Sequence, residues 1–556
     1  MASTPRFVTR TGSVLNDPLT AQPLRFVSFN IPTLHLQDDP AFEVPTDYEQ
    51  DDVLSSLAQM GGRVSRIYTL SVQTAAEDAS TATTKHIIKG TINGTAVEGP
   101  VLNERVLRGL DSALANAAKH GIRLIVPFID RWEWWGGYES FVKLLPNNPA
   151  LPASAFFTDA TAIAAFKSIV GQIITRNNTV TGVVYRDDPT ILGWETGNEL
   201  ELNGDRVPAA WTSGLAAHIK SLDPNHLVMD GSYKHGWDES VLNDPNIDMY
   251  SNHYYRSLQF SAGEYAGMAV LSALIVAAIV LFTMTLYYPR RVKWVRLPPF
   301  NRNPNRETRI RQLLTVFGAF VLIAGSVGGI VAIVLHRIPN PRYGALSSDD
   351  ASTVASHGKV FIAGEFGLAS SSAMSDVLEN VVDGKTAFAG ALVWSLRGHC
   401  RSGGFYTHSE QQGYSSYHYP GFDSKTAGFG SDERDIIDAV KYRAATLAKA
   451  TGYSIQALAL PGAPTLIPST VSPTNLRWQG VAGALDYAVA RTADLPANSA
   501  SNWQFITNAV IDDKPCNTTL YTDSTAVSGK QYAYVVRARN AVGSGPLSQP
   551  MTITAA

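Results

Sequence analysis

Residues 162–198 read AIAAFKSIVGQIITRNNTVTGVVYRDDPTILGWETGN, and the change of period inside this stretch decides the fold. From Ala162 to Arg176 apolar residues return every three or four positions, the spacing of one buried helix face. After a polar turn, Thr190–Asn198 is short, apolar and bounded by turn residues, which predicts a buried strand. A helix that feeds a fully apolar strand is half of a β-α-β unit with parallel strands.

The same alternation runs in both directions from this point. Upstream are RFVSFNI (25–31), RVSRIYTL (63–70) after the helical DVLSSLAQMG, and RLIVPFID (123–130) after LRGLDSALANAAKHG. Downstream are HLVMDGS (226–232), IDMYSNHYY (247–255), VFIAGEFG (360–367) and ALVWSLRG (391–398). With the central strand these make eight β-like runs separated by helices, which suits a (β/α)8 TIM barrel of about 250 residues plus insertions. Arg66, Asp130, Glu199, His253, Glu365 and Trp394 fall at the C-terminal ends of these strands, where such barrels carry their chemistry.

The barrel is interrupted. Ala266–Tyr288 and Leu313–Leu335 are each 23 residues without a charge. Each makes about 34 Å of helix, enough for a hydrocarbon core of about 30 Å, and neither has the polar stripe of a core helix. The reading is a two-helix transmembrane hairpin following the sixth strand, in a βα loop. The link between the spans holds Arg290, Arg291, Lys293, Arg296, Arg302, Arg306, Arg309 and Arg311 against one acid, Glu307. A short loop this basic belongs on the cytoplasmic side, which places both flanking parts of the barrel outside the cytoplasm or in a lumen. Sequons at Asn93, Asn177 and Asn517 agree. The opening MASTPRFVTRTGSVLNDP has no apolar stretch of signal-peptide type. An incomplete start, a late signal anchor and a hairpin foreign to the chain all stay open.

Residues 466–556 alternate at period two with turn residues between, which reads as an all-β sandwich. It resembles a fibronectin type III domain in Trp478, Tyr532, Tyr534 and ARNAVGSGPLS. The expected domains are a tail at 1–21, barrel at 22–255, hairpin insertion at 256–343, barrel again at 344–455, a linker at 456–465 and the sandwich. The 556 residues are 45% hydrophobic and 17% charged, as in a folded protein. A formal net charge of −3 excludes a nucleic-acid binder run by bulk charge. Two cysteines, Cys400 and Cys516, are too few for a disulfide framework or a four-cysteine zinc site, and leave the redox compartment open. His235, His253, His399, His408 and His418 show no zinc-ligand spacing, and no Gly-rich phosphate loop follows a strand. No metal or cofactor is implied.

Two carboxyl groups facing one bond are what glycoside hydrolysis needs, one protonated to help the leaving oxygen and one ionised to attack or to activate water. Glu199 and Glu365 are the candidates, with two structural, ion-paired glutamates as the plain alternative. Asn198 could bond a sugar hydroxyl. Arg66 could hold a carboxylate ionised, and His253 and Tyr255 could donate to Glu365 and substrate. Trp132, Trp134, Trp135 and Trp394 could stack on sugar faces, or simply fill the core.

At this point a resemblance becomes specific. Residues 156–199, DRWEWWGG (130–137), the His253-X-Tyr255 pair and the GEFG around Glu365 are similar to glycoside hydrolase family 5 endo-β-1,4-mannanases, over about residues 22–255 and 359–420. The resemblance implies Glu199 as acid/base, Glu365 as nucleophile, and retention of configuration. Family members usually read Glu-Leu-Ala-Asn-Glu-Pro-Arg where this chain reads Glu195-Thr-Gly-Asn-Glu-Leu-Glu201. The missing Pro-Arg leaves the substrate open, not the catalytic pair. Expected partners are a glycan, most simply β-mannan, and a lipid bilayer, with no nucleic acid and the oligomeric state open. Another β-glycanase, a glycolipid glycosidase, a transglycosylase or a catalytically silent carbohydrate-binding protein remain the alternatives.

Overall fold

The computed structural model describes the chain outside residues 1–6, 39, 40, 75, 78–83, 93, 94, 147–150, 233–235, 256–261, 288–303, 339, 385, 386, 411, 412, 469–473, 499, 500 and 556. Asn93, His235 and the basic link from Arg290 to Arg302 lie outside the described residues.

The eight expected runs are eight strands: β1 Phe26–Phe29, β2 Val64–Arg66, β3 Arg123–Pro127, β4 Ile191–Glu195, β5 Leu227–Asp230, β6 Met249–Tyr254, β7 Val360–Phe366 and β8 Phe388–Val393. They form one parallel sheet in the order β1-β8-β7-β6-β5-β4-β3-β2. Between β1 and β2 the Ile31 amide donates to the Arg66 carbonyl at 3.0 Å, and the Ser65 hydroxyl donates to the Phe29 carbonyl at 2.9 Å. These bonds complete the circle, so the fold is a TIM barrel. β8 starts three residues before the expected run, because Phe388-Ala-Gly carries small residues that weaken a strand pattern.

Each strand sends a side chain to a buried cluster low in the barrel: Phe26, Val64, Ile125, Leu192, Leu227, Met249, Val360 and Leu392. Side chains alternate along a strand, so Arg66 stands two residues above Val64 on the same inward face. Apolar residues thus fill the lower barrel and leave the C-terminal ends for polar groups. Val8, Leu15 and Leu24 join the lower cluster, and Thr9–Thr11 pairs antiparallel with Val14–Asn16. The segment expected as a tail is therefore folded from Val8 onward. Its polar run hides only three such apolar residues, too few for a periodic signal.

Helices α1 Asp47–Gln59, α2 Glu104–Lys119, α3 Ala160–Ile174 and α4 Ala209–Leu222 follow β1 to β4. Asp159 caps α3 by accepting from the Thr161 and Ala162 amides at 2.9 Å. Thr46 and Glu49 form a capping box on α1. An antiparallel strand pair, Ile87–Ile92 with Thr95–Leu102, is inserted before α2.

Residues 256–342 make a separate compact unit. In it α5 Ala262–Tyr287 and α6 Pro304–Arg337 pack on each other, and both are long and apolar enough to cross a membrane. Ala278, Thr285, Ala319 and Ser326 are buried, and a Cβ on Gly329 would meet Leu271 at 3.0 Å. Small residues there let the two backbones approach. At the open end Arg337 donates to Glu264 at 2.7 Å. Only 6% and 11% of the two apolar windows are buried, unlike helices of a soluble core.

Beyond the hairpin, α7 Tyr343–Ser356 leads into β7, α8 Ser371–Asp383 joins β7 to β8, and α9 Glu433–Thr451 closes the barrel. The C-terminal part is a sandwich. One sheet holds β9 Thr465–Ile467, β10 Asn475–Gln479 and β13 Tyr521–Thr522. The other holds β11 Asp486–Thr492, β12 Gln504–Val510, β14 Gln531–Arg539 and β15 Met551–Thr554. Trp478, Tyr487, Val489, Tyr534 and Val536 form its core.

Candidate active site

Arg66 is the hub. Its side chain is fully buried, and burial alone would favour a neutral group. The carboxylates of Glu195 and Glu365 outweigh that and keep it charged. Arg66 Nε donates to Glu195 Oε2 at 2.5 Å and Nη2 to Glu195 Oε1 at 3.1 Å. Nη2 also donates to Asn198 Oδ1 at 2.9 Å, and Nη1 to Glu365 Oε1 at 2.6 Å. One guanidinium fork thereby fixes side chains from β4, the loop after it and β7.

Asn198 and Glu199 follow β4. The Asn198 amide donates to the Ile129 carbonyl at 2.7 Å and the Leu200 amide to the Gly231 carbonyl at 3.0 Å, so the segment is pinned between the ends of β3 and β5. A Cβ on Gly197 would sit 2.7 Å from the Ile129 carbonyl oxygen, so only glycine fits. Glu199 itself has φ of +52°, a left-handed conformation that a branched-free glutamate adopts only under restraint.

The two candidate glutamates have different donors. Glu365 Oε2 accepts from the Tyr255 hydroxyl at 2.6 Å, adding to the Arg66 bond. Glu199 Oε2 accepts from Trp132 Nε1 at 2.7 Å, and Glu199 Oε1 lies 2.9 Å from His253 Nδ1. His253 Nδ1 is also 3.5 Å from Glu365 Oε2. Oxygens of Glu199 and Glu365 and a ring nitrogen of His253 all lie within 4.8 Å of one another.

These three groups are close enough to shift one another's titration. Burial is the largest influence on each carboxyl and raises it. At Glu365 it outweighs the pull of His253 and Arg66, and the group is raised. At Glu199 the hydrogen bond and charge of His253 outweigh burial and lower it. Burial lowers His253, but Glu365 and Glu199 more than offset that, and the imidazole is raised. These directions put the proton of the Glu199–His253 pair on the imidazole, one hydrogen bond of 2.9 Å from Glu199. The trio is compact enough to share a cation, yet Arg66 already supplies the positive charge there.

Below this layer Asn198 Nδ2 donates to Asp130 Oδ1 at 3.0 Å. Burial pushes Asp130 up to about 7, against hydrogen bonds from Asn198, Trp132 and Tyr68. Above it lies a cleft of about 510 Å³ lined by Tyr68, Trp132, Trp134, Asn198, Glu199, Tyr255, Glu365, Leu368, Trp394, His408 and Glu410. Trp394 Nε1 donates to Glu410 Oε1 at 2.7 Å.

Eight of the residues singled out from sequence meet in this network and cleft: Glu199, Glu365, Arg66, Asn198, His253, Tyr255, Trp132 and Trp394. Trp134 lines the cleft too, whereas Trp135 is 1% exposed and belongs to the core, donating to the Thr69 carbonyl. Sequence reading missed the roles of Glu195, Tyr68, His408 and Glu410. Glu195 carried a signal, an acid four residues before Glu199 in an otherwise apolar strand. His408 and Glu410 carried none, because their loop reaches the cleft through tertiary contacts.

Residues 54–259 match the family model described as GH family 5 beta-mannosidase-like. Mannan endo-1,4-beta-mannosidase 7 of Arabidopsis thaliana is 36% identical over 170 residues, 28% of this chain and 39% of that protein. Mannan endo-1,4-beta-mannosidase 3 of Solanum lycopersicum is 30% identical over 257 residues, 44% of this chain and 59% of that protein. The chain thus spans less than two thirds of these curated relatives. The crystal structure of the endo-1,4-beta-mannanase from Rhizomucor miehei shares the fold, with a TM-score of 0.51 at 19% identity over 80% of this chain and 99% of that one. The resemblance to glycoside hydrolase family 5 mannanases is thus borne out for the barrel.

Proposed function

We propose that the barrel, with its likeness to glycoside hydrolase family 5, is a retaining glycosidase acting on β-1,4-linked mannan. One observation carries this reading: two carboxyl groups at the ends of β4 and β7, no more than 4.8 Å apart at their nearest oxygens, with separate sets of donors. Retaining enzymes place their carboxyls at about 5 Å, while inverting ones leave room for a water.

Glu365, held by Arg66 and Tyr255, attacks the anomeric carbon. The glycosidic C–O bond breaks as Glu199 gives its proton to the leaving oxygen. His253 keeps that proton within one hydrogen bond of Glu199. Water then attacks the anomeric carbon of the glycosyl ester, passes a proton to Glu199, and frees Glu365. Trp132 and Trp394 offer the sugar apolar faces.

The test is a panel of glucomannan, galactomannan, cellulose, xylan and mixed-linkage glucan, assayed with wild type and Glu365→Gln in detergent. Manno-oligosaccharides should appear with wild type, and the variant should lose activity by roughly 10³-fold or more. A variant as active as wild type would remove Glu365 from the mechanism. His408 and Glu410 border the cleft beside Trp394. That wall favours a second reading, release of single sugars from a chain end, and the sizes of the first products from mannohexaose separate the two.

The hairpin is read as a membrane tether with the barrel outside the cytoplasm. Two long apolar helices, a disulfide between Cys400 and Cys516, and exposed Asn177 and Asn517 support this. The protein should stay in the membrane pellet through alkaline carbonate. Release into the supernatant would oppose the tether.

A further inference from the structure

The C-terminal sandwich docks on α1, where the Tyr48 hydroxyl donates to the Gly480 carbonyl at 3.0 Å, and is joined covalently to one loop of the barrel. That loop follows β8 and includes residues 398–410. Cys400 and Cys516 are joined by a disulfide with 5.9 Å between their Cα atoms. Backbone pairing continues the joint. The Phe405 amide donates to the Lys514 carbonyl and the Cys516 amide to the Phe405 carbonyl, both at 2.9 Å, and the Asn517 amide to the Gly403 carbonyl at 3.0 Å. Gly404 has φ of +78°, and a Cβ there would lie 2.5 Å from the Pro515 carbonyl oxygen. The turn is thus shaped to lie flat on the sandwich.

The barrel side grips the same turn. Glu49 of α1 accepts from the Arg401 amide at 2.8 Å and from the Tyr406 hydroxyl at 2.7 Å. Asp52 of α1 bonds the His399 amide and lies 2.9 Å from its ring Nδ1. His408 and Glu410, which line the cleft, come three and five residues after Phe405. Three residues span at most about 10 Å, so the cleft wall cannot move freely of the joint.

We propose that the sandwich is a positioning element of the catalytic unit: through the Cys400–Cys516 bridge and the pairing at Phe405 it sets the wall formed by His408 and Glu410, and so sets substrate affinity. The chemistry at Glu199 and Glu365 does not depend on it, because those residues are fixed by Arg66, Tyr255, Trp132 and His253. The inference rests on the glycosidase reading above.

The experiment compares the full-length wild type, the Cys400→Ser/Cys516→Ser variant and Gly404→Ala, which keeps the bridge but lifts the turn. KM and kcat are measured with manno-oligosaccharides, with and without dithiothreitol, alongside far-ultraviolet circular dichroism. The expected result is a KM raised roughly fivefold or more in both variants and in reduced wild type, with kcat within about twofold. Dithiothreitol should change nothing further in the serine variant. Lower melting temperatures with unchanged KM would make the bridge a structural staple and overturn the proposal. Equal losses of KM and kcat performance would overturn it too, since the wall would then be inseparable from the chemistry. Wild type without activity on any β-glycan would instead sink the glycosidase reading.

Discussion

Arg66 shows how one residue couples stability to chemistry. It pairs with the fully buried Glu195 and with Glu365 at once. Removing it leaves Glu195 in a low-dielectric site without a partner, which costs about 3–5 kcal/mol. Arg66→Met should lower the urea midpoint accordingly. Arg66→Lys keeps the charge and loses the fork, so it should fold and lose kcat by roughly 10²-fold with little change in KM. A lysine variant with normal kcat would mean that the charge alone orients Glu365. Arg66 was legible in sequence as a cation at a strand end. Its bond to Glu195 was not, because a residue 129 positions away in the chain becomes a neighbour only through barrel closure.

Among elements, the ends of β3, β4 and β5 place Glu199, the proposed acid/base. Gly197 and Gly231 let these strand ends nearly touch: a Cβ on Gly231 would lie 1.7 Å from the Gly197 carbonyl oxygen. Gly197→Ala must push on the Ile129 carbonyl and on Leu200. It should destabilise the fold by about 1–3 kcal/mol and cut kcat far more than Arg66-independent surface changes do. Thermal melting and kinetics check both halves, and an alanine variant with wild-type kcat would show that Glu199 tolerates a shifted loop. The strands themselves were legible, since each is a short apolar run between helical patterns. The N-terminal strand pair was not, because three-residue strands give no period to read. The inserted pair carried a hairpin signal in Asn93-Gly94 that a search for strand–helix alternation passes over.

For the molecule as a whole, buried acids set a pH window. Burial pushes Asp130 and Asp512 up to about 7 and Asp230 to about 6. Folded pKa values above the unfolded ones mean that the fold binds these protons more tightly. Their contribution is complete below about pH 4 and is lost as pH rises through 6 to 7. His399 acts in the same direction: burial lowers it, but Asp52 and Asp512 raise it further. Asp17 and Asp111 oppose at the acid end. Burial raises both, yet hydrogen bonds from Arg63 and Arg176 hold them low, so their contribution is lost as pH falls below about 4. Stability should therefore peak at mildly acidic pH. Melting temperature measured from pH 3 to 8 should fall toward neutrality, and Asp512→Asn should flatten that fall. A maximum above pH 7 would contradict the assignment.

The sequence by itself determined the barrel, the two apolar helices, the sandwich and the eight residues that meet in and beneath the cleft. Period and composition are local properties of the chain, and strand ends in a parallel barrel all point to one face. Tertiary structure alone decided what surrounds them. The Arg66–Glu195 pair, the hydrogen bond between Glu199 and His253, the bridge from Cys400 to Cys516 and the wall of His408 and Glu410 join residues far apart in the chain. Such contacts depend on how strands close and loops dock, and no local pattern encodes that.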